Sequence, residues 1–219
     1  MNRTKVVNLE QGAWAVRGPV RRASTFAANG EVILLGVLAG LLLWVMSITE
    51  LQLISSALGL GDIHAVNTAA RPVEELFGMI ILGPVIEELI FRLGAMRLLM
   101  RWMPSWIAVI VSAVLFAGSH IRSGIVSAAE VGALADIFSG GIALGAAYLC
   151  SETVWVPIAM HVVYNGLTLF LNPVAYSLLG TVGAWYVPLC CVLLLAATAA
   201  YALVCVQWDR RRPAGLRAT

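Results

Sequence analysis

The chain has 219 residues, of which 60% are apolar and 12% charged, and its mean hydropathy is +0.89. Soluble domains carry about 25% charged residues, so this composition cannot cover a water-facing surface, and it is too apolar for disorder. The formal net charge of +2 supplies no basic field for nucleic acid. An integral membrane protein remains, long enough for about six membrane-spanning helices with short loops.

Residues 1–30 are polar and basic, with Arg3, Lys5, Arg17, Arg21 and Arg22. They hold no apolar run of signal-peptide length, so no cleaved leader is expected. The first span is predicted over Val32 to Ile48, 17 residues without a charge. A mixed segment with Glu50, Asp62, His64 and Arg71 follows. The second apolar stretch runs from about Leu76 to Met100, with Pro84 predicting a kink. Pro104 opens a third stretch through Ser119, and a fourth covers about Val131 to Cys150. The glycines of the fourth, Gly140, Gly141 and Gly145, predict close helix packing in lipid. The fifth is Val154 to Leu171, the sixth Trp185 to Val206, and a short basic tail ends the chain. The expected organisation is a basic segment 1–30, one helical domain 31–207 and a tail 208–219. No internal repeat is apparent. Cys150, Cys190, Cys191 and Cys205 all lie in apolar stretches and read as small hydrophobes.

Six spans bring both termini to one side. Eleven of the fourteen Lys and Arg residues then lie on that side, two on the other, and Arg92 within a span. Cytoplasmic loops hold the basic excess, so both termini are expected in the cytoplasm. The fold class is therefore all-α: a polytopic membrane bundle.

An ionisable group at the centre of a span costs roughly 2.5–3.5 kcal/mol on insertion scales. The second span holds three together, Glu87, Glu88 and Arg92. Glu88 and Arg92 are four residues apart and can pair on one helix face; Glu87 points about 100° away. Of three histidines, His64 reads as a loop residue. His120 closes the third span in "FAGSH", one turn after Phe116, and His161 sits mid-span in "HVVYN", one turn before Asn165. Polar groups in lipid must face the bundle interior, so these side chains are expected to converge. A carboxylate in a poorly solvated site can serve as general base toward water. A histidine can share that water, and a second histidine with an amide can supply donors to an oxyanion. That is equipment for peptide hydrolysis without a covalent intermediate.

"EELIFR" (87–92), "FAGSH" (116–120) and "HVVYN" (161–165) resemble, in order, the motifs EExxxR, FxxxH and HxxxN of the CAAX protease and bacteriocin-processing family. The stretch "IFSGGIALGAAYLCSETVWVPIAMH" also resembles that family's glycine-bearing helix and the turn before its last motif. The likeness covers about residues 75–171. It implies an intramembrane glutamate-type endopeptidase in which Glu87 is the base, His120 shares the water, and His161 and Asn165 stabilise the oxyanion. Glu88 and Arg92 would hold the site together. Eukaryotic members trim prenylated CAAX proteins; bacterial ones process peptides, confer bacteriocin immunity or act as scaffolds. The expected surroundings are membrane lipid and a membrane-associated peptide or protein substrate, with no cofactor. The Ala-, Gly- and Arg-rich composition suggests a bacterial cytoplasmic membrane.

Other patterns in the chain suggest rival chemistries. "GLGD" at 59–62 matches an aspartyl-protease string but reads as a turn. "VEEL" at 73–76 lacks an Arg one turn on, leaving Glu74 and Glu75 as interfacial residues. Ser119 neighbours His120 rather than facing it, which opposes serine chemistry. The zincin motif HExxH is absent, although Glu87, His120 and His161 form a conceivable zinc set. A scaffold or immunity protein of the same fold and a proton-coupled carrier are the non-proteolytic alternatives; the carrier is weakened by the missing repeat.

Overall fold

The computed structural model describes residues 30–59, 72–121 and 127–210. The basic segment 1–30, except for its last residue, the "GLGD" turn beyond Gly59, His64, Arg71, Arg122 and the tail beyond Arg210 lie outside the described residues.

Among the described residues there are six helices, a single 3-10 turn at Gly183–Trp185 and no strand. The helices are α1 (Gly30–Leu58), α2 (residues 73–99), α3 (Ser105–Gly118), α4 (Ala128–Ser151), α5 (Trp155–Gly180) and α6 (Tyr186–Arg210). Each corresponds to one of the six apolar stretches. Four of them, α1, α4, α5 and α6, are long and apolar enough to cross a membrane. The all-α membrane bundle is thus the observed architecture, with two segments that depart from a simple span.

The first departure is α2. It passes through wide π-type turns at Gly78–Leu82 and Leu89–Met96, on either side of the α-helical Gly83–Glu88 that carries Glu87 and Glu88. Pro84 stands in the first turn of that middle piece. Its ring nitrogen has no hydrogen to return to the preceding turn, so irregularity falls where the proline pattern predicts it. π-type turns inside a helix occur frequently at functional sites.

The second is α3, only 14 residues long, or about 21 Å at 1.5 Å per residue. Pro104 precedes it, the helix stops at Gly118, and His120 sits in the following turn with its N–H bonded to the Ala117 carbonyl. A new helix, α4, starts after Ser127. There Ser127 and Glu130 form a reciprocal cap: Glu130 N–H donates to Ser127 Oγ at 3.2 Å, and Ser127 N–H to Glu130 Oε2 at 2.9 Å. At its other end, Glu152 turns the chain in the left-handed region, at φ 55°.

Packing follows the small residues. α1 lies along α5 and α6, and α3 along α4. Gly40 of α1 lies so close to α5 that a Cβ there would stand 2.6 Å from the Met160 carbonyl oxygen. On α4, Gly141 and Gly145 face Ala113 and Val109 of α3; added Cβ atoms would come within 3.1 and 3.0 Å of them. Without a hydrophobic drive between helices in lipid, such close backbone approach is what holds them together. One core cluster joins Leu43, Leu144, Met160 and Tyr201; another joins Met96, Val109, Tyr148 and Ile158. Leu34, Phe170, Leu195 and Leu203 remain outward-facing, as an apolar periphery in lipid requires.

Candidate functional site

The middle of α2 projects two carboxylates toward α5, where His161 lies between them. Glu88 and Arg92 are fully buried, and Arg92 Nε donates to Glu88 Oε2 at 2.8 Å. The other oxygen of Glu88 lies 3.0 Å from His161 Nδ1. A carboxylate paired with an arginine is an acceptor only, so Nδ1 carries the hydrogen and donates. That bond turns the far ring nitrogen, Nε2, toward Glu87, whose Oε2 is 3.7 Å away. Glu87 is 31% exposed, in contrast to its buried neighbour. The i,i+4 pairing read from the sequence is present, and His161 binds to it as a third member.

Arg92 is held further by Ser112 of α3. Its Nη1 donates to Ser112 Oγ at 3.2 Å, while that hydroxyl donates to the Phe91 carbonyl at 3.1 Å. The guanidinium carbon stands 5.4 Å from the centroid of the Phe116 ring, within range of a cation–π contact. Phe116 also meets His120 and His161 edge-on, at centroid distances of 4.9 and 5.9 Å. The first residue of the FxxxH pattern is therefore a spacer that sets both imidazoles.

His120 receives its orientation from its own helix end. Its Nδ1 lies 2.9 Å from the Phe116 carbonyl, which can only accept, so Nδ1 donates and Nε2 holds the lone pair in the neutral ring. Asn165, one turn beyond His161, reaches across to α2 and donates from Nδ2 to the Met79 carbonyl at 2.9 Å. Met79 precedes Pro84 by five residues, the interval of a π-type bond that the proline cannot complete. Asn165 thus ties α5 to the irregular turn of α2 with one amide hydrogen and keeps the second.

Glu87, His120, His161 and Asn165 line a single cavity of about 200 Å³. Glu88 and Arg92 sit behind it as the buried support of His161. Among the described residues, no group of three or more His, Cys, Asp and Glu side chains is arranged to hold a metal ion; this includes Glu87, His120 and His161.

The cavity has a second polar wall that the motif reading did not find. Asp136 of α4 and Tyr164 of α5 line it as well. Ser47 of α1 donates to Asp136 Oδ2 at 2.9 Å, and one turn along Ser139 of α4 donates to Glu50 of α1 at 2.6 Å. Each helix thus lends a serine hydroxyl to the other's carboxylate. The signal was present in the sequence: Asp136 is an ionisable residue inside an apolar span, and Ser47/Glu50 repeats the three-residue interval of Asp136/Ser139.

The fold and its interior define a membrane helix bundle with a carboxylate–imidazole site between α2 and α5. Residues 69–167 match the family model of Rce1-like proteins, described as type II CAAX prenyl endopeptidase Rce1-like. The matched segment contains all three motifs that resemble the CAAX protease and bacteriocin-processing family. With the apolar helices, this supports an integral membrane protein and a peptide hydrolase. No curated protein and no solved structure matches the chain.

Proposed function

We propose that the chain is an intramembrane endopeptidase that cleaves a membrane-associated peptide or protein by general-base attack of water. Glu87 is the base. The observation that carries this reading is the division of labour between adjacent carboxylates: Glu88 is buried and spent on Arg92 and His161, whereas Glu87 is partly exposed on the cavity and faces Nε2.

Glu87 takes a proton from water while the water oxygen bonds to the scissile carbonyl carbon, and His120 Nε2 accepts the water's other hydrogen bond. The proton passes from Glu87 to His161 Nε2. His161 then carries two N–H groups, one held by Glu88 and one directed at the new oxyanion, and the free amide hydrogen of Asn165 joins it. When the C–N bond breaks, His161 returns the proton to the departing nitrogen. No metal and no covalent enzyme intermediate enters this scheme. The basic asymmetry along the chain supports cytoplasmic termini, and the composition suits a bacterial cytoplasmic membrane.

The Asn165–Met79 bond favours a second reading, a scaffold of the same fold, because it gives the HxxxN pattern a purely structural use. The two separate in a comparison of membrane peptides from cells carrying the wild type or Glu87→Gln. Cleavage products that vanish with the variant, while its amount in the membrane is unchanged, support the protease. Identical peptide profiles for Glu87→Gln, His120→Ala and His161→Ala would remove it in favour of the scaffold.

A further inference from the structure

Besides Glu87, the cavity is lined by a second carboxylate, Asp136, for which the proposed hydrolysis has no use. Asp136 is 6% exposed and lines the cavity, and its Oδ1 has no hydrogen-bond partner. Its other oxygen accepts from Ser47 at 2.9 Å and from the Tyr164 hydroxyl at 3.4 Å. Glu50 accepts from Ser139. Among the described residues, neither Asp136 nor Glu50 makes an ion pair with a basic side chain; the ion pairs of Arg92 and His161 run to Glu87 and Glu88.

The hydroxyl hydrogens here are already committed. Ser47 and Ser139 direct theirs to carboxylates, and Tyr164 lies within reach of Asp136 and, at 3.1 Å, of Ser47. What this cluster leaves unmet is therefore acceptor only: one buried carboxylate oxygen with nothing donating to it, on a residue that lines the cavity, with a second carboxylate one helical turn away. A buried acceptor left unmatched is costly, and in a membrane interior the cost of an uncompensated carboxylate is larger still. A group that brings both hydrogen-bond donors and positive charge meets both deficits. A peptide can supply it as a lysine or arginine side chain.

Resting on the endopeptidase reading, we propose that Asp136, supported by Glu50, Ser47 and Tyr164, is a specificity subsite for a basic side chain of the substrate near the scissile bond. The cationic head binds Asp136 Oδ1 while its alkyl stem lies along Leu43 and Leu144, which line the same cavity. Charge complementarity of this kind acts as selection among peptides.

The test uses the full-length protein in lipid nanodiscs and an apolar peptide series. A single lysine, N-acetyl-lysine or norleucine is moved one position at a time along each peptide. At one position, lysine should raise kcat/KM roughly tenfold or more over the two uncharged residues, the scale of a hydrogen bond to a charged group. In Asp136→Asn, which keeps the side-chain shape, that ratio should fall to near one, and Glu50→Gln should lower it in part. Hydrolysis without a lysine preference, or a preference that survives Asp136→Asn, overturns the subsite and leaves the endopeptidase reading intact. If Asp136→Asn does not insert, Glu50→Gln carries the comparison. If no peptide is cut, thermal unfolding with n-butylammonium against n-butanol decides. An ammonium-specific rise in Tm that Asp136→Asn abolishes keeps the cation subsite while the endopeptidase reading falls; no such rise removes both.

Discussion

Two clusters of polar groups meet at one cavity, and they solve the cost of burial in opposite ways. The α2–α5 cluster carries its own countercharge: Glu88 bonds Arg92 and His161, and Arg92 lies against Phe116 and Ser112. The α1–α4 cluster holds Glu50 and Asp136 on hydroxyls alone. The first is a charge-paired network whose members fix one another's geometry, with only Arg92 Nη2 lacking an acceptor. The second leaves one buried acceptor, Asp136 Oδ1, without a donor on a residue that lines the cavity. A site needs both kinds: rigid groups to position chemistry, and an unfilled demand to select what enters.

The contrast is open to attack by substitution. The largest effect is expected at Glu87, where Glu87→Gln should reduce peptide turnover by roughly 10²–10⁴-fold, as loss of a general base does. Its Tm should stay close to wild type because Glu87 is the partly exposed member; a steady-state assay and a melting curve check both. Next is Arg92→Met. Removing one partner of a buried pair strands the other, at about 3–5 kcal/mol, so unfolding in detergent should shift far down. The double variant Glu88→Gln/Arg92→Met should regain part of that loss; if it regains none, Arg92 matters through Phe116 and Ser112 rather than through Glu88. Packing comes third. Gly40→Val forces atoms against the Met160 carbonyl, and overpacking of this kind costs about 1–3 kcal/mol, whereas Gly140→Val meets open space and should be nearly silent. The smallest effect divides the clusters by sign: Glu50→Gln should leave stability unchanged or raise it, because it removes an uncompensated charge, while Glu88→Gln should lower it. Equal losses in both would show that Glu50 has a countercharge after all.

Much of this site is legible along the chain because helices translate spacing into geometry. Glu88 and Arg92 are neighbours at four residues whatever surrounds them, and Phe116 and His120 meet edge-on for the same reason. The apolar stretches locate six helices because lipid admits no other backbone there. The end of α3 is less legible. Hydropathy carries the stretch to Ser119, and the helix stops at Gly118, so His120 lies in a turn and takes its orientation from the Phe116 carbonyl. The serine–carboxylate exchange between α1 and α4 joins residues 89 positions apart, and no local rule connects them.

Composition and spacing alone determined that the chain is a bundle of apolar helices with a few charges that must turn inward, Glu87, Glu88 and Arg92 among them. The tertiary structure decided which ones meet. It set His161 between Glu87 and Glu88, committed one hydrogen of Asn165 to Met79, and brought Asp136 into the cavity that Glu87 lines. The reason is one of range. Helical periodicity relates residues three or four apart, but the rotation of one helix against another depends on side-chain volumes at the contact, such as Gly40 on Met160 and Gly141 on Ala113. The direction in which a buried carboxylate points follows from that rotation.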